Sequence, residues 1–311
     1  MINKVSDSIK NRKKLTWWII GTVLVLCTGL LTIGAFYDYQ ITDALYTPNF
    51  FSRTFTLIGH LPAMLAGVAF AASAFFYINR SKRKTLTVFT VILWFIECGI
   101  ASYFLWDTAK KEVFLGMGDT LFYILLGISI PLFFIASFFI FRCAKTKQTR
   151  AKLFYIFLIV FFVELAANLI LIEGVRLLWG RPRYYTIDSI NVLFTPWYLP
   201  QGYQGGNMSF PSGHAGSATM ALTALLFLTQ LQFKKWQKAL VVALPIVLII
   251  CTCFARMMQG MHFLADVTVG FLLGASMIVA CTFLVDKCFF NKINRSLTSP
   301  DDFKQEAIVK K

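Results

Sequence analysis

The chain has 311 residues, of which 57% are hydrophobic and only 14% are charged. A soluble domain of this length cannot bury so much apolar surface, so the composition predicts an integral membrane protein with the lipid bilayer as its surroundings. The formal net charge of +15 is explained by membrane topology, as shown below, so we expect no nucleic-acid partner.

Eight apolar runs are long enough to cross a bilayer as helices. They lie at residues 17–37, 55–78, 86–106, 121–141, 154–178, 215–231, 239–254 and 263–285. The first run follows a basic start and has no clear small-residue cleavage site, so we interpret it as an uncleaved helix. The predicted fold class is therefore all-α, a polytopic transmembrane bundle of about eight helices.

Basic residues are distributed unevenly between the two ends of these predicted helices. If the amino terminus is cytoplasmic, the two termini and the loops near residues 79–85, 142–153 and 232–238 hold 23 of the 30 Lys and Arg residues. Cytoplasmic segments of membrane proteins carry such an excess. The other seven lie on the opposite side, and four of them belong to the motifs described next.

Three short stretches carry the residue types that phosphate chemistry needs. Residues 209–214 read Ser-Phe-Pro-Ser-Gly-His, a turn of small residues ending in one of the three histidines of the chain. Further on, the four-residue step from His262 to Asp266 puts both side chains on one face of a helix, where a carboxylate can orient an imidazole. Upstream, the stretch from Arg176 to Arg183 contains three arginines, whose guanidinium groups bind phosphate.

Taken together, these stretches resemble the signature of the PAP2 (type 2 phosphatidic acid phosphatase) superfamily, which is Lys-x6-Arg-Pro, then Pro-Ser-Gly-His, then Ser-Arg-x5-His-x3-Asp. Residues 211–214 match the second pattern fully. In the first pattern, Arg176 takes the place of lysine and Tyr184 that of proline. In the third, Ala255 takes the place of serine, which removes one hydrogen bond to phosphate.

The resemblance implies a metal-independent phosphoric monoester or pyrophosphate hydrolase with no cofactor and no metal ligands. It implies a catalytic role for three residues, with His262 as the nucleophile that becomes a phosphohistidine, His214 as the acid for the leaving oxygen and Asp266 as the group that orients His262. It implies phosphate-binding roles for Arg176, Arg183, Ser212, Gly213 and Arg256.

The expected substrate is a membrane lipid that carries a phosphate or pyrophosphate. Undecaprenyl pyrophosphate, phosphatidylglycerol phosphate, phosphatidic acid and lipid A phosphates all fit, and the oligomeric state is left open. The basic asymmetry places the motifs on the extracytoplasmic face of a multi-pass protein, which we assign to a bacterial inner (cytoplasmic) membrane. Two alternatives remain: a lipid phosphotransferase that uses the same site, and a non-catalytic transporter or scaffold with a degenerate site.

The predicted domain organisation has three parts. Residues 1–150 form about four transmembrane helices with basic cytoplasmic loops, residues 151–290 form a PAP2-like catalytic core, and residues 291–311 form a polar cytoplasmic tail. The long segment 183–210, rich in Tyr, Trp, Pro and Gly, is predicted to leave the helical pattern and to form a lid or a substrate-selecting wall. Gly270 and Gly274 are predicted to allow close packing of the last helix.

Several polar residues lie outside the motifs. His60 is interpreted as a structural histidine near the outer end of the second helix. Arg181 is assigned to a contact around the site or to a lipid headgroup. Glu97 and Glu164 fall within apolar helices, where a carboxyl group is costly, and Asn168 is one turn from Glu164; we interpret them as structural.

Overall fold

The computed structural model of the chain describes residues 2–78, 84–166, 170, 172–190, 193–203, 205–206, 208–227 and 234–285. These residues form helices and connecting loops, and no strand occurs among them. The predicted tail at 291–311 lies outside the described residues, and the three-part domain organisation stays a prediction.

The helices follow one another with short connections, apart from one longer loop. In chain order they are α1 (Ile2–Leu45), α2 (Phe50–Ile78), α3 (Lys84–Glu112), α4 (Asp119–Arg142), α5 (Lys147–Ala166), α6 (Glu173–Trp179), α7 (Tyr184–Ile190), α8 (Gly213–Thr219), α9 (Lys235–Met258) and α10 (Leu264–Leu284). A 3₁₀ helix, Met220–Phe227, continues directly from α8.

Six helices in the described part of the chain are long and apolar enough to cross a membrane, namely α1 from Trp17 onward, α2, α3, α4, α9 and α10. The predicted all-α membrane fold is confirmed. The two remaining predicted spans are described only in part. In the span 154–178, α5 is described to Ala166 and α6 from Glu173, and residues 167–169 and 171 lie outside the described residues. In the span from residue 215, α8 continues as the 3₁₀ helix to Phe227, and residues 228–231 lie outside the described residues.

Helix α2 lies at the centre of the bundle and packs against α3, α5, α8 and α9, while α10 packs against α1, α5 and α8. One apolar cluster joins α2, α3 and α4 around the fully buried Trp94, whose indole Nε1 donates to Ser137 Oγ at 3.0 Å. Side chains that face outward from this bundle are largely apolar, as expected for helices surrounded by lipid.

Close contact between α8 and α10 depends on two glycines of α10. A Cβ atom at Gly270 would lie 2.2 Å from the carbonyl oxygen of Ser212, and one at Gly274 would lie 2.8 Å from that of Gly216. No larger residue fits there without displacing the backbone of the Ser212 turn. The prediction of a closely packed last helix is confirmed, and the neighbour is α8, which carries His214.

The two intramembrane glutamates lie away from the three motifs. Glu97 of α3 reaches Gly67 of α2, where a Cβ atom would lie 2.2 Å from its Oε2. Glu164 of α5 is buried, with 6% of its surface exposed. Asn168, the predicted neighbour of Glu164, lies outside the described residues.

Candidate active site

The three motifs meet at one end of the bundle. At this end α1, α3 and α9 finish and α2 and α10 begin, as shown by contacts such as the backbone hydrogen bond from Thr47 to Met258 at 3.0 Å. The end with few basic residues in the sequence is therefore the end that holds the site.

Arg176 is held against the turn that carries the second motif. It lies in the last turn of α6, which Gly180 ends in a left-handed conformation with φ 63°. Its Nε donates to the carbonyl of Pro211 at 3.0 Å, and its Nη1 pairs with Glu173 at 2.6 Å. A Cβ atom at Gly213 would lie 2.8 Å from Arg176 Nη2, so glycine at this position permits the close approach of the guanidinium group.

Arg256 reaches the same place from the end of α9. Its Nη1 donates to Gln259 Oε1 at 2.7 Å and to Thr56 Oγ1 of α2 at 3.2 Å. Gln259 Nε2 in turn donates to Glu112 of α3 at 2.9 Å. Side chains from three helices therefore fix the guanidinium group of Arg256. Only 3% of the surface of this residue is exposed.

Arg183 completes a group of three arginines. It lies close enough to Arg176 and Arg256 for its positive charge to repel theirs. The Nε atoms of Arg183 and Arg256 are buried and have no hydrogen-bond partner in the described structure. Buried guanidinium donors without partners are costly, and an anion bound between them would satisfy them.

His262 lies in the turn between α9 and α10 and is almost completely buried. Its Nδ1 is 2.6 Å from the backbone carbonyl oxygen of Ser209. A carbonyl only accepts, so Nδ1 carries the hydrogen and Nε2 keeps its lone pair. Burial lowers the pKa of His262 to about 3, and the ring is therefore neutral near pH 7.

The relation between His262 and Asp266 differs in detail from the expected one. The predicted proximity occurs, because Nδ1 and Oδ2 are 3.8 Å apart. This distance is too long for a hydrogen bond, and the partner of Nδ1 is the Ser209 carbonyl. Asp266 Oδ2 instead accepts from Ser209 Oγ at 2.5 Å and from the backbone amide of Phe263 at 2.8 Å. Ser209 thus connects Asp266 to His262, through its hydroxyl and its backbone carbonyl respectively.

His214 is the first-turn residue of α8 that faces the arginines. Burial, with the nearby charge of Arg256, lowers its pKa well below the usual histidine value. Ser212 caps this helix, since its Oγ accepts from the amide of Ala215 at 3.4 Å. The amide of Ser212 donates to the carbonyl of Asp266 at 2.9 Å, which ties the second motif to the third.

Arg181 is a buried residue, so of the two contacts expected for it, the one around the site occurs and the one with a lipid headgroup does not. Its Nη1 lies 2.5 Å from Asp266 Oδ1 and its Nη2 lies 2.9 Å from Asp38 Oδ2. The guanidinium plane also covers the ring of Phe263 at 4.2 Å. Asp38 belongs to α1, and nothing in its local sequence indicated this role.

The two motif departures have different structural consequences. Tyr184, in the place of proline, packs its ring against Tyr39 of α1 and against Tyr46, the residue after that helix, and donates its hydroxyl to Asp43 at 2.5 Å. These contacts fix the loop that proline would otherwise stiffen. Ala255, in the place of serine, is completely buried and has no hydroxyl to offer to a phosphate.

The segment after Arg183 is more ordered than the predicted loop. Its first part forms the short helix α7, contrary to the prediction that 183–210 leaves the helical pattern. Farther on, the Trp179 and Phe210 rings stack at 4.6 Å, and Trp197 Nε1 donates to the Leu31 carbonyl of α1 at 3.2 Å. Aromatic packing therefore holds the described parts of this segment against α1 and the second motif, and its role as a lid or a substrate-selecting wall stays a prediction.

Comparison with known protein families gives one match. Residues 157–290 match the family model described as PAP2 superfamily, and this segment includes all three motifs. The resemblance found in the sequence is thereby confirmed, and it supports a phosphatase-type enzyme. Neither the curated proteins nor the solved structures contain a match to this chain.

The structure brings the sequence-predicted residues to one place and adds others. The additions are Ser209, Arg181, Asp38, Thr56, Gln259, Glu112 and His60. Ser209, Arg181 and Gln259 lie within the motif stretches. The remaining four lie on α1, α2 and α3, where no motif marks them as part of the site.

Proposed function

We propose that the protein is an integral membrane lipid phosphatase that hydrolyses a phosphate or pyrophosphate monoester through a phosphohistidine. The observation that carries the proposal is the group of three arginines with two buried, unpartnered Nε donors, placed beside two neutral histidines. Such a group fits a tetrahedral anion whose oxygens need donors and positive charge. The family match supports the same reaction class.

In the first step, the lone pair on His262 Nε2 attacks phosphorus and the bond to the leaving oxygen breaks. Binding of the anionic phosphate offsets the arginine charge and protonates His214, which is neutral in the free protein. The protonated ring then gives this proton to the leaving oxygen, so that the alcohol or phosphate departs with that oxygen protonated. Arg176, Arg183 and Arg256 hold the other phosphoryl oxygens, and Ser212 and Gly213 lie at the same turn. The products are the dephosphorylated lipid and phosphohistidine.

In the second step, water attacks the phosphorus of the phosphohistidine and the bond to Nε2 breaks. His214, neutral after the first step, takes a proton from the water and returns to the protonated form that it has with phosphate bound. Orthophosphate is then released. The fixed charge of three arginines serves where other phosphatases use a metal ion.

The substrate is expected to be a lipid because the site lies at the end of a bundle of apolar helices. The candidates named above, from phosphatidic acid to undecaprenyl pyrophosphate, share a terminal phosphate on a membrane-anchored chain. We place the site on the extracytoplasmic face, since basic residues are scarce at this end of the chain.

The test is release of inorganic phosphate from phosphatidic acid by the purified protein in detergent, with His262→Ala as the matched control. We expect release by the wild type in the presence of EDTA and none by the variant. Equal release by both proteins, or none by either, contradicts the proposal. Addition of an alcohol acceptor separates hydrolysis from transfer, because a phosphotransferase forms the new ester instead of free phosphate.

A further inference from the structure

All three histidines of the chain come together at the site. His262 and His214 belong to the motifs, whereas His60 lies on α2, outside the segment that matches the family. The His60 and His214 rings are in contact, with centroids 3.9 Å apart and planes at 67°, an edge-to-face arrangement. From the sequence, His60 was interpreted as a structural histidine, whereas this contact places it beside a motif histidine.

The position of His60 is fixed by close packing between α2 and α9. The preceding residue, Gly59, lies so near α9 that a Cβ atom there would be 2.5 Å from Thr252 Oγ1. One turn earlier, Thr56 contacts Arg256. Residues four apart lie on one face of a helix, so α2 presents two polar side chains to the site, one at Arg256 and one at His214.

The two arginines that act on His214 offer its ring no hydrogen-bond acceptor. The charged and titratable groups that act on it are Arg256 from α9, Arg176 from α6, His262 and His60. A guanidinium group only donates hydrogen bonds, while a neutral imidazole has one nitrogen that accepts. His60 is therefore the group in this set, besides His262, that can accept a hydrogen bond from the His214 ring.

We propose that His60 is a positioning residue for His214: it holds the His214 ring toward the leaving oxygen and accepts from the ring nitrogen that does not face the substrate. This inference rests on the proposed phosphatase reaction. The role parallels that of the Ser209 carbonyl, which fixes the ring of His262. It gives each of the two motif histidines its own partner, one from the backbone and one from α2.

The experiment compares kcat at saturating substrate for phosphatidic acid and for p-nitrophenyl phosphate, whose leaving group departs without protonation. Because His60 acts through the proton donor, His60→Ala should lose about tenfold or more on phosphatidic acid and much less on the aryl phosphate. A double variant, His60→Ala with His214→Ala, should be no slower than His214→Ala alone, since the partner of an absent ring has no further effect.

Two substitutions separate positioning from packing. His60→Phe keeps a ring of similar shape without nitrogens and should behave like His60→Ala. His60→Gln keeps an acceptor and should recover part of the lost kcat. Ser73→Ala, a buried residue of the same helix whose hydroxyl donates to its own helix at 2.7 Å, should match the wild type and controls for general damage to α2.

Phosphate release by the wild type is measured first, because it tests the proposed function. If the wild type releases no phosphate, both the phosphatase function and the role of His60 are contradicted. With an active wild type, three results overturn the role of His60 alone. They are wild-type kcat in His60→Phe, equal loss on both substrates, and a double variant slower than His214→Ala by the full factor of His60→Ala. If His60→Ala does not fold, His60→Phe and His60→Gln carry the same comparison.

Discussion

Arg181, in the loop after α6, and Asp266, in the first turn of α10, form an ion pair that is shielded from solvent, with Nη1 and Oδ1 2.5 Å apart. The other side of the same guanidinium group holds Asp38 of α1. The aspartate of the third motif is thus anchored by a helix that lies outside the family-matching segment. Helix α1 is, in this sense, part of the site.

The first prediction concerns the stability of this bridge. Arg181→Met should lower the thermal stability of the detergent-solubilised protein, because removing one partner of a buried pair costs about 3–5 kcal/mol and leaves two carboxylates facing each other. Adding Asp38→Asn should recover part of the loss, since one of those charges is then removed. The measurement is the thermal unfolding midpoint. A double variant whose unfolding midpoint is no higher than that of Arg181→Met contradicts the stabilising role of this ion pair.

The second prediction separates the roles of the two motif histidines. His262→Ala removes the attacking atom and should lose about 10⁴-fold or more on every substrate. His214→Ala removes the proton donor, worth about 10²–10⁴-fold, and should lose far less on p-nitrophenyl phosphate than on a lipid phosphate. Steady-state kcat on both substrates is the measurement. Rescue of His262→Ala by the better leaving group would reverse the assignment.

The third prediction concerns the contact between α10 and the Ser212 turn. Gly270→Ala should lower kcat sharply, because its Cβ atom would displace the Ser212 carbonyl and with it the turn that carries His214. Gly99→Ala is the matched control, since the space around Gly99 on α3 is open and alanine favours a helix by about 1 kcal/mol. Phosphate release by both variants is compared. Equal activity contradicts the importance of this contact.

The fourth prediction links anion binding to protonation of His214. In the free protein, burial and Arg256 keep the pKa of His214 low, so the ring is neutral near pH 7. A bound vanadate offsets the arginine charge, raises the pKa of His214 and should cause uptake of a proton. Calorimetric titrations in two buffers of different ionisation enthalpy measure this uptake. His214→Ala should bind vanadate with less uptake, and an unchanged uptake would place the proton elsewhere.

The fifth prediction tests the orientation in the membrane. A cysteine in place of Tyr203, whose side chain is exposed in the loop before the second motif, should react with an impermeant maleimide in intact cells. The native Cys143, exposed at the far end of α4, should react only after lysis, because the excess of basic residues predicts that this end is cytoplasmic. The reverse order of labelling would invert the topology.

Much of the fold and part of the site follow from local sequence. The apolar runs predicted a membrane bundle because only a helix satisfies its backbone within lipid. The glycine step from Gly270 to Gly274 predicted a shared helix face correctly, because helical periodicity is a local property. The spacing from His262 to Asp266 predicted their proximity but not its cause, since His262 lies in the turn before α10. The three motifs predicted the family because their residue types, internal spacing and order along the chain resemble its signature.

The partners that complete the site were decided by tertiary structure. Asp38 is 143 positions from Arg181, and neither residue carries a local sign of the other. His60 belongs to a helix whose sequence gives no reason to place it at His214. Periodicity tells which residues share the face of one helix, but the packing of several helices at once determines which faces meet. The sequence therefore determined the reactive groups, and only the packed bundle determined what holds each of them.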